Sequence, residues 1–253
     1  MTSQEMKKSI FIFAMIMLVM ASCNKMEQNE KKFVKGMTSQ DYETATAAYD
    51  EFVHALLNDR ETMTHDFKLM KEKLGMKVIT SPDGHLRCYS WVSGGNESVK
   101  MYSNVFQWIN GNDFIGYNGP IDRLLAGRKA DIKKESSLAH SVDTVFEVHL
   151  AEKTIYLIAQ SYKNSKGLNR AYVSAAYIEG ITLRLLPFFF DGVEIAGNNV
   201  FRNDDFKIGD LFKWDEKEHK FYAYQTDEND QLIPGKYTAY VLGEDKFTRL
   251  PEE

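Results

Sequence analysis

Aromatic side chains on two neighbouring β-prone runs are the residues of this chain whose types and spacing best suit ligand binding. Tyr89 and Trp91 alternate on one face of the first run, and Tyr102 shares a face with other aromatic residues on the next. Flat apolar rings on a β surface can stack on the C–H faces of sugars, while Arg87 offers a directional hydrogen bond. We therefore predict that these four side chains form a ligand-binding surface. The alternative is that the rings belong to the core.

The two tryptophans of this region are expected to differ in exposure. Trp91 shares its strand face with His85 and Arg87, which are polar, so we expect the indole to be at least partly exposed. Trp108 lies on the second run, where it shares a face with Tyr102 and Phe106. We expect Trp108 to be buried in the core.

Catalytic and cofactor motifs are absent from the sequence. It contains no G-x-S-x-G elbow, Walker loop, G-x-G-x-x-G or H-E-x-x-H. A pair of carboxylates could catalyse glycoside hydrolysis, but the chain has 36 acidic residues, so a chance pair is the alternative. The candidates for such a pair are Asp83, Glu97, Asp204, Asp205 and Asp210. We predict no catalytic residue and no cofactor.

Three further features could hold a metal or a nucleophile, and each has a simpler explanation. Glu61 and His65 are four residues apart on a predicted helix, which suits metal ligands and equally an ordinary surface pair. Asp227 and Asn229 imitate the first ligands of a calcium loop, but the later positions lack the required acid and glycine. Cys88 alternates with leucine on a strand, which predicts a buried small apolar side chain. We predict no metal site.

Composition and charge are those of one globular domain with a small appendage. The chain has 253 residues, of which 43% are hydrophobic, and its two cysteines cannot form a disulfide framework. Its 31 basic and 36 acidic side chains give a formal charge of −5. A protein that neutralises phosphates needs the opposite balance, so we expect no nucleic-acid partner.

The first residues have the features of an export signal. Lys7 and Lys8 precede an apolar run that is shorter than the roughly 20 residues a membrane-spanning helix needs. Small residues then stand directly before Cys23. We predict a signal peptide over residues 1–22. A chance cysteine after an ordinary secretory signal is the alternative to a modified Cys23.

The sequence from Leu18 to Cys23 resembles the lipobox of bacterial lipoproteins, although Met20 replaces the usual leucine, valine or isoleucine. The resemblance implies that the Cys23 thiol carries a diacylglycerol, that cleavage occurs before it, and that the new amino terminus is acylated. Asn24 stands where an aspartate retains many such proteins at the inner membrane. The resemblance therefore implies an outer-membrane lipoprotein.

The chain after the signal is expected to contain a tether, a helical segment and a β domain. Residues 24–36 are polar and of mixed charge, so we predict a lipidated cysteine and flexible tether over residues 23–37. Apolar residues at alternating steps of four and three predict helix within residues 38–75, continuous or broken near Asn58 and Asp59. We expect a helical hairpin or one long helix packed on the β domain, with a coiled coil as the alternative.

Residues 76–253 have the patterning of β-strands. The Pro82-Asp83-Gly84 sequence predicts the clearest hairpin turn, and about twelve β-prone runs are separated by turn residues. We predict a mainly β fold, as an antiparallel sandwich, barrel or curved sheet with an N-terminal helical segment. A propeller ranks lower, because twelve strands make only three four-stranded blades and propellers have at least about four.

The lipobox and the D-G-x-x-R-x-Y-S-W segment that begins at Asp83 together resemble cell-envelope lipoproteins of Bacteroidetes, a group in which this segment carries no assigned activity. The resemblance implies a location in the cell envelope, facing the periplasm or the cell surface, and no catalytic residues. We therefore expect a membrane-anchored lipoprotein whose β domain binds a glycan or a protein partner without catalysis. The alternative is a glycan-directed envelope hydrolase that uses a carboxylate pair.

Overall fold

A computed structural model describes residues 25–95, 100–119, 140–163, 168–187, 189–191, 196–202 and 206–251. The chain forms two compact units that meet in sequence between Gly75 and Met76. In its described residues the first unit is helical and the second contains the β-strands. The predicted signal peptide and Cys23 lie outside the described residues. None of the described helices combines the length and apolar character that a membrane span requires.

The described part of the first unit contains three α-helices and a 3-10 helix. They are α1 over residues 25–37, α2 over Tyr42–Asn58, the 3-10 helix over Arg60–Met63, and α3 over Lys68–Leu74. Asp41 caps α2, because its Oδ2 accepts the Thr44 N–H at 2.9 Å. The helices break at Asp59, whose Oδ1 accepts the Glu61 N–H at 3.0 Å and begins the 3-10 helix.

Helix α1 corrects the prediction of a flexible tether over residues 23–37 in the part that the structure describes, residues 25–37. Met26, Glu30 and Phe33 are all buried, and their spacing of four and three places them on one helical face. The Phe33 ring lies 5.4 Å from that of Phe52 in α2, centroid to centroid. Most of the polar residues of this segment lie on the exposed face of α1. A narrow apolar stripe on its other face packs within the helical unit.

Glu30 joins α1 to α3 and to His65, which lies between the 3-10 helix and α3. Oε1 accepts the Met70 N–H at 2.9 Å, and Oε2 lies 2.9 Å from Nε2 of His65. Phe67, directly before α3, has φ 51° and no side-chain capping bond, so Glu30 supplies the acceptor at the first turn of α3. A carboxylate that is only 4% exposed needs both donors to offset the cost of its burial.

The second unit contains three antiparallel sheets in its described residues. The first sheet consists of β1 Lys77–Thr80, β2 Leu86–Gly95, β3 Lys100–Asn110 and β4 Asp113–Asn118. The middle sheet consists of β5 Ser141–Leu150, β6 Lys153–Lys163, β7 Asn169–Glu179, β8 Thr182–Leu185 and β9 Ala196–Phe201. The third sheet follows the short helix α4 Ile208–Leu211 and consists of β10 Phe212–Asp215, β11 Lys220–Thr226, β12 Leu232–Leu242 and β13 Phe247–Arg249.

The middle sheet is buried on both of its faces. Tyr156 and Ile158 of β6 pack in one cluster with Phe106 of the first sheet. The alternate residues of β6, such as Leu157, pack in another cluster with Phe221 of the third sheet. The three sheets therefore stack as layers around two hydrophobic cores.

The structure confirms the predicted mainly antiparallel β fold with N-terminal helices. Its sheets are layered as in a sandwich, and they form no closed barrel in the part of the chain that is described. The predicted turn at Pro82-Asp83-Gly84 joins β1 to β2, with Thr80 paired to Arg87. Cys88 is fully buried and Trp108 is 3% exposed, both as predicted.

The substitution Glu30→Ala should destabilise the helical unit by about 1–3 kcal/mol, because the Met70 amide and the His65 ring lose a buried acceptor. Urea unfolding of the full chain, followed by far-UV circular dichroism, measures this change. Glu27→Ala on the exposed side of α1 is the matched control, and we expect it to stay within about 0.5 kcal/mol of the wild type. Equal effects of the two substitutions would contradict the linking role of Glu30.

Candidate functional site

The surface predicted from Arg87, Tyr89, Trp91 and Tyr102 does not form. Tyr89 is 0% exposed and Trp91 only 2%, so the prediction of a partly exposed Trp91 is wrong. Arg87 is also buried, with its guanidinium carbon 5.4 Å from the centroid of the Tyr89 ring. Arg87 does not mark a solvent-exposed strand face here, because its guanidinium lies over the Tyr89 ring and the side chains on both faces of this part of β2 are buried. The Tyr89 hydroxyl donates to Gln107 at 2.6 Å, which is a core interaction.

Tyr102 is half-buried and lines a cleft of about 630 Å³ at one end of the first and middle sheets. Several of the other lining side chains stand at strand ends, where β1, β3 and β7 begin and β6 finishes. The lining residues that bear charge or aromatic rings are Lys77, Lys100, Tyr102, Asp143, Tyr162, Lys163, Phe206 and Lys207. We name this cleft, defined by these residues, the lysine cleft.

Asp143 is the polar centre of the lysine cleft. Its Oδ1 accepts from Nζ of Lys77 and, at 3.1 Å, from Oγ of Ser141. Lys77 also donates to Ser141 at 2.8 Å, so this triad joins β1 of the first sheet to β5 of the middle sheet. The Asp143 side chain is only 7% exposed, and its Oδ2 accepts no hydrogen bond from the part of the chain that the structure describes. Oδ2 has almost no accessible surface, so it is enclosed by protein rather than open to the cleft.

The charge of the lysine cleft is opposite to that of the whole chain. Four lysines and one aspartate give its described lining a formal charge of +3, whereas the chain carries −5. Burial raises the pKa of the Tyr102 hydroxyl, Lys77 lowers it and Asp143 raises it, with a net increase. Tyr102 therefore stays protonated at neutral pH and offers a neutral O–H group beside the charges. The arrangement suits a ligand that carries negative charge.

The aromatic wall of the cleft is held in position from behind. The His140 ring stacks on Tyr162 with centroids 4.1 Å apart and planes inclined by 17°. Nδ1 of His140 is hydrogen-bonded to the Tyr172 hydroxyl, and the His140 carbonyl accepts from Asn104 at 2.7 Å. These contacts fix the orientation of Tyr162, which is half-buried. A fixed ring loses little conformational entropy when a ligand packs on it.

A second polar group surrounds Asp83 at the opposite end of the same strands. Asp83 accepts from Oγ of Ser81 at 2.5 Å, from the His85 N–H at 3.0 Å and from the Tyr156 hydroxyl at 2.7 Å. The backbone N–H of Asp83 donates to Glu147 at 2.7 Å. This group fixes the hairpin turn of the first sheet to the middle sheet.

The electrostatics of the Asp83 group favour a structural role over acid catalysis. Burial raises the pKa of Asp83, but the hydrogen bonds from Ser81, the His85 N–H and Tyr156 outweigh burial and lower it overall. A general acid for glycoside hydrolysis needs a raised pKa, which is the opposite of this shift. Asp83 is therefore an ionised acceptor that anchors the turn.

The other candidates for chemistry have structural partners in the described residues. Asp210 accepts the Lys207 N–H at 3.3 Å, and Asp227 accepts the Asn229 N–H at 2.8 Å within a turn. Burial raises the pKa of the Cys88 thiol, which keeps it a neutral thiol. No group of three or more metal-ligating side chains occurs among the described residues. The candidates Glu97, Asp204 and Asp205 lie outside the described residues.

Comparison with protein-family models, with curated proteins and with solved structures finds no match for this chain. Of the residues predicted for ligand binding, Tyr102 alone lines the lysine cleft. Sequence reasoning missed Lys100, Asp143, Tyr162 and Lys207. The sequence places lysine and tyrosine at the ends of several β-prone runs, which is the one pattern that could have indicated this cleft. The pattern does not show which strand ends lie next to each other in the folded chain.

The substitution Asp83→Asn should destabilise the β unit at pH 7 by about 1–3 kcal/mol, because three donors lose a charged acceptor. The pKa of Asp83 is lower in the folded chain than its unfolded value of about 3.9, so this stabilisation is present above that value. It disappears as the pH falls through the folded pKa, and the wild type and the variant should then converge. Urea midpoints across this pH range measure the difference.

Asp113, the exposed first residue of β4, provides the control for this experiment, since it belongs to the same sheet. We expect Asp113→Asn to leave the pH profile of the wild type unchanged. A difference between Asp83→Asn and the wild type that stays constant from pH 7 down to acid would show that Asp83 does not act through its charge.

Proposed function

We propose that this chain is a membrane-anchored lipoprotein of the cell envelope, whose β unit binds a glycan or a protein partner without catalysis. The lysine cleft is the binding site in this proposal. Cys23 carries the lipid that holds the protein at the outer membrane, facing the periplasm or the cell surface. The single observation that carries the binding role is the cleft of about 630 Å³ whose described lining combines four lysines with the half-buried rings of Tyr102 and Tyr162.

The size and composition of the cleft support ligand binding. Its volume of about 630 Å³ falls in the range of roughly 300–1,000 Å³ that is typical of small-molecule sites. Tyr102 and Tyr162 supply ring surface, while Lys100 and Lys207 are exposed and can approach a ligand from the rim. A few directional polar groups beside apolar rings are the usual means of orienting a bound molecule.

The distribution of carboxylates supports binding over hydrolysis. Glycosidases use two carboxyl groups about 5–9.5 Å apart on either side of the scissile bond. Asp143 is the one carboxylate among the described lining residues of the cleft, and it is paired with Lys77. Asp83 and Glu147 instead form hydrogen bonds that hold the hairpin turn at the other end of the strands.

The proposed anchor is supported by the sequence alone. The lipobox-like run that ends at Cys23 predicts a thiol-linked diacylglycerol and an acylated amino terminus. Two or three acyl chains hold a protein firmly at a membrane, whereas one chain gives only marginal binding. The β unit would then be tethered at the envelope, where glycans and envelope proteins are abundant partners.

In-cell photo-crosslinking tests the anchor and the binding site together. With p-benzoyl-L-phenylalanine in place of Lys207, at the rim of the cleft, we expect an adduct in the membrane fraction after irradiation. The same residue in place of Lys236, which is exposed on the third sheet, is the control and should give none. Digestion of the adduct by proteases or by glycosidases identifies the partner as protein or glycan.

Two outcomes of this experiment contradict the proposal. Equal adducts at positions 207 and 236, or none at either, would remove the cleft as the binding site. A Cys23→Ser variant that still fractionates with the membranes in its processed form would remove the lipid anchor. We expect that variant to leave the membrane fraction and to lose the adduct.

A further inference from the structure

We propose that the exposed face of helix α1 lies against the anionic phospholipid headgroups of the membrane that holds the lipid on Cys23. This inference rests on the lipid anchor of the proposed function and goes beyond it, because it gives the helical unit a second contact with that membrane. Three observations carry it: the charge of this helix face, the unpaired lysines on it, and its closeness to Cys23 along the chain.

The lysines of α1 are gathered on one side of the helix. Met26, Glu30 and Phe33 form its buried side. At about 100° per residue, the lysines fall within an arc of about 120° on the opposite side, and Glu27 lies outside that arc. We name this side the basic face of α1, and its residues, all exposed, are Lys25, Gln28, Lys31, Lys32 and Lys35. The face therefore presents positive charge without an acidic residue.

Three of these lysines have no ionic partner in the part of the chain that is described. Lys32 pairs with Glu51 of α2 at 2.7 Å. The ammonium groups of Lys25, Lys31 and Lys35 form no ion pair with any described residue. Lysines on adjacent helical turns repel each other, and a negatively charged surface against the face removes that penalty. The basic face therefore suits an anionic partner.

The other charges of the helical unit give this contact a direction. Helix α2 contains no lysine or arginine, and its exposed acidic residues are Glu43, Asp50 and Glu51. The unit therefore has a positive side on α1 and a negative side on α2. Beside an anionic surface, attraction and repulsion both turn α1 toward the surface and α2 away from it.

The position of Cys23 makes the membrane the nearest anionic surface. Cys23 precedes Lys25 by two residues, so their α-carbons are no more than about 7 Å apart. A lipid on Cys23 would thus hold the first lysine of α1 within about one Debye length of the headgroups at physiological salt. The apolar side of α1 packs within the helical unit, so the helix rests on the headgroups and does not insert among the acyl chains.

Cysteine accessibility on vesicles tests this inference. Gln28 is exposed, uncharged and central in the basic face, and Ala47, exposed on α2, is the matched control position. The full-length variants Gln28→Cys and Ala47→Cys are added from detergent to preformed vesicles and modified with a maleimide linked to polyethylene glycol. The vesicles consist of phosphatidylcholine alone, or of equal parts of phosphatidylcholine and phosphatidylglycerol. The wild type, in which Cys88 is fully buried, gives the background.

The modification rate should fall at position 28 alone. We expect it to be at least about fivefold lower on the mixed vesicles than on phosphatidylcholine, because each lysine near an anionic surface strengthens the contact by about that factor. High salt should restore the rate, since it screens the charges. The rate at position 47 should agree within about twofold on the two kinds of vesicle.

Charge reversal separates the basic face from the net charge of the protein. Adding Lys31→Glu and Lys35→Glu to Gln28→Cys should abolish the protection, because the face then repels the phosphates. Adding Lys217→Glu and Lys236→Glu instead changes the net charge equally on exposed positions of the β unit, and the protection should stay within about twofold. An equal loss of protection in both would assign the effect to net charge and overturn the inference.

The remaining outcomes separate this inference from the lipid anchor. Equal rates at position 28 on the two kinds of vesicle would overturn the inference. Protection that occurs in detergent and rises with protein concentration would also overturn it, because a second copy would then cover the face. Flotation of the wild type with phosphatidylcholine vesicles reports the anchor by itself. Flotation without protection leaves the anchor standing alone, whereas protection on mixed vesicles without flotation on phosphatidylcholine removes the anchor and supports the charged contact.

Discussion

The burial of the middle sheet on both faces is the constraint on which the β unit depends. Because the first sheet covers one face and the third sheet the other, β6 and β7 carry uncharged and mostly apolar side chains along their central residues. Charged residues can then occur only at the strand ends, since a charge within either core would be buried without a partner. The polar chemistry of the unit is therefore divided between the two ends of the layered sheets.

The two ends differ in how completely their carboxylates are satisfied. At the turn end, Asp83 receives three hydrogen bonds and Glu147 receives the Asp83 N–H, so this end rigidifies the connection between the first and middle sheets. At the other end, Asp143 retains an oxygen with no donor among the described residues, beside lysines whose charges exceed its own. A saturated network stabilises the fold, whereas an open cleft with an excess of positive charge is suited to a ligand.

Local patterns predicted the fold class but not the site. The period-two alternation predicted the strands, and the Pro82-Asp83-Gly84 sequence predicted the turn between β1 and β2. Trp108 is buried as expected. The alternation could not show that Trp91 is covered as well, because exposure of a strand face depends on which elements pack against it. The polar and charged composition of residues 25–37 did not predict helix α1. The burial of Glu30 depends on the Met70 amide, which lies 40 residues further along the chain. The cleft lysines come from four separate segments, so their proximity is a product of sheet stacking alone.

Amide hydrogen exchange of the full-length protein, resolved by peptide, tests most directly whether the doubly covered sheet organises the β unit. We expect the central residues of β6 and β7 to exchange slowest, since they open only when both cores separate. Their ends at the lysine cleft should exchange faster, together with the edge strands β1 and β13. Exchange in central β6 that is as rapid as in β1 or β13 would contradict this role of the middle sheet, which would then not be the stable layer that positions the cleft.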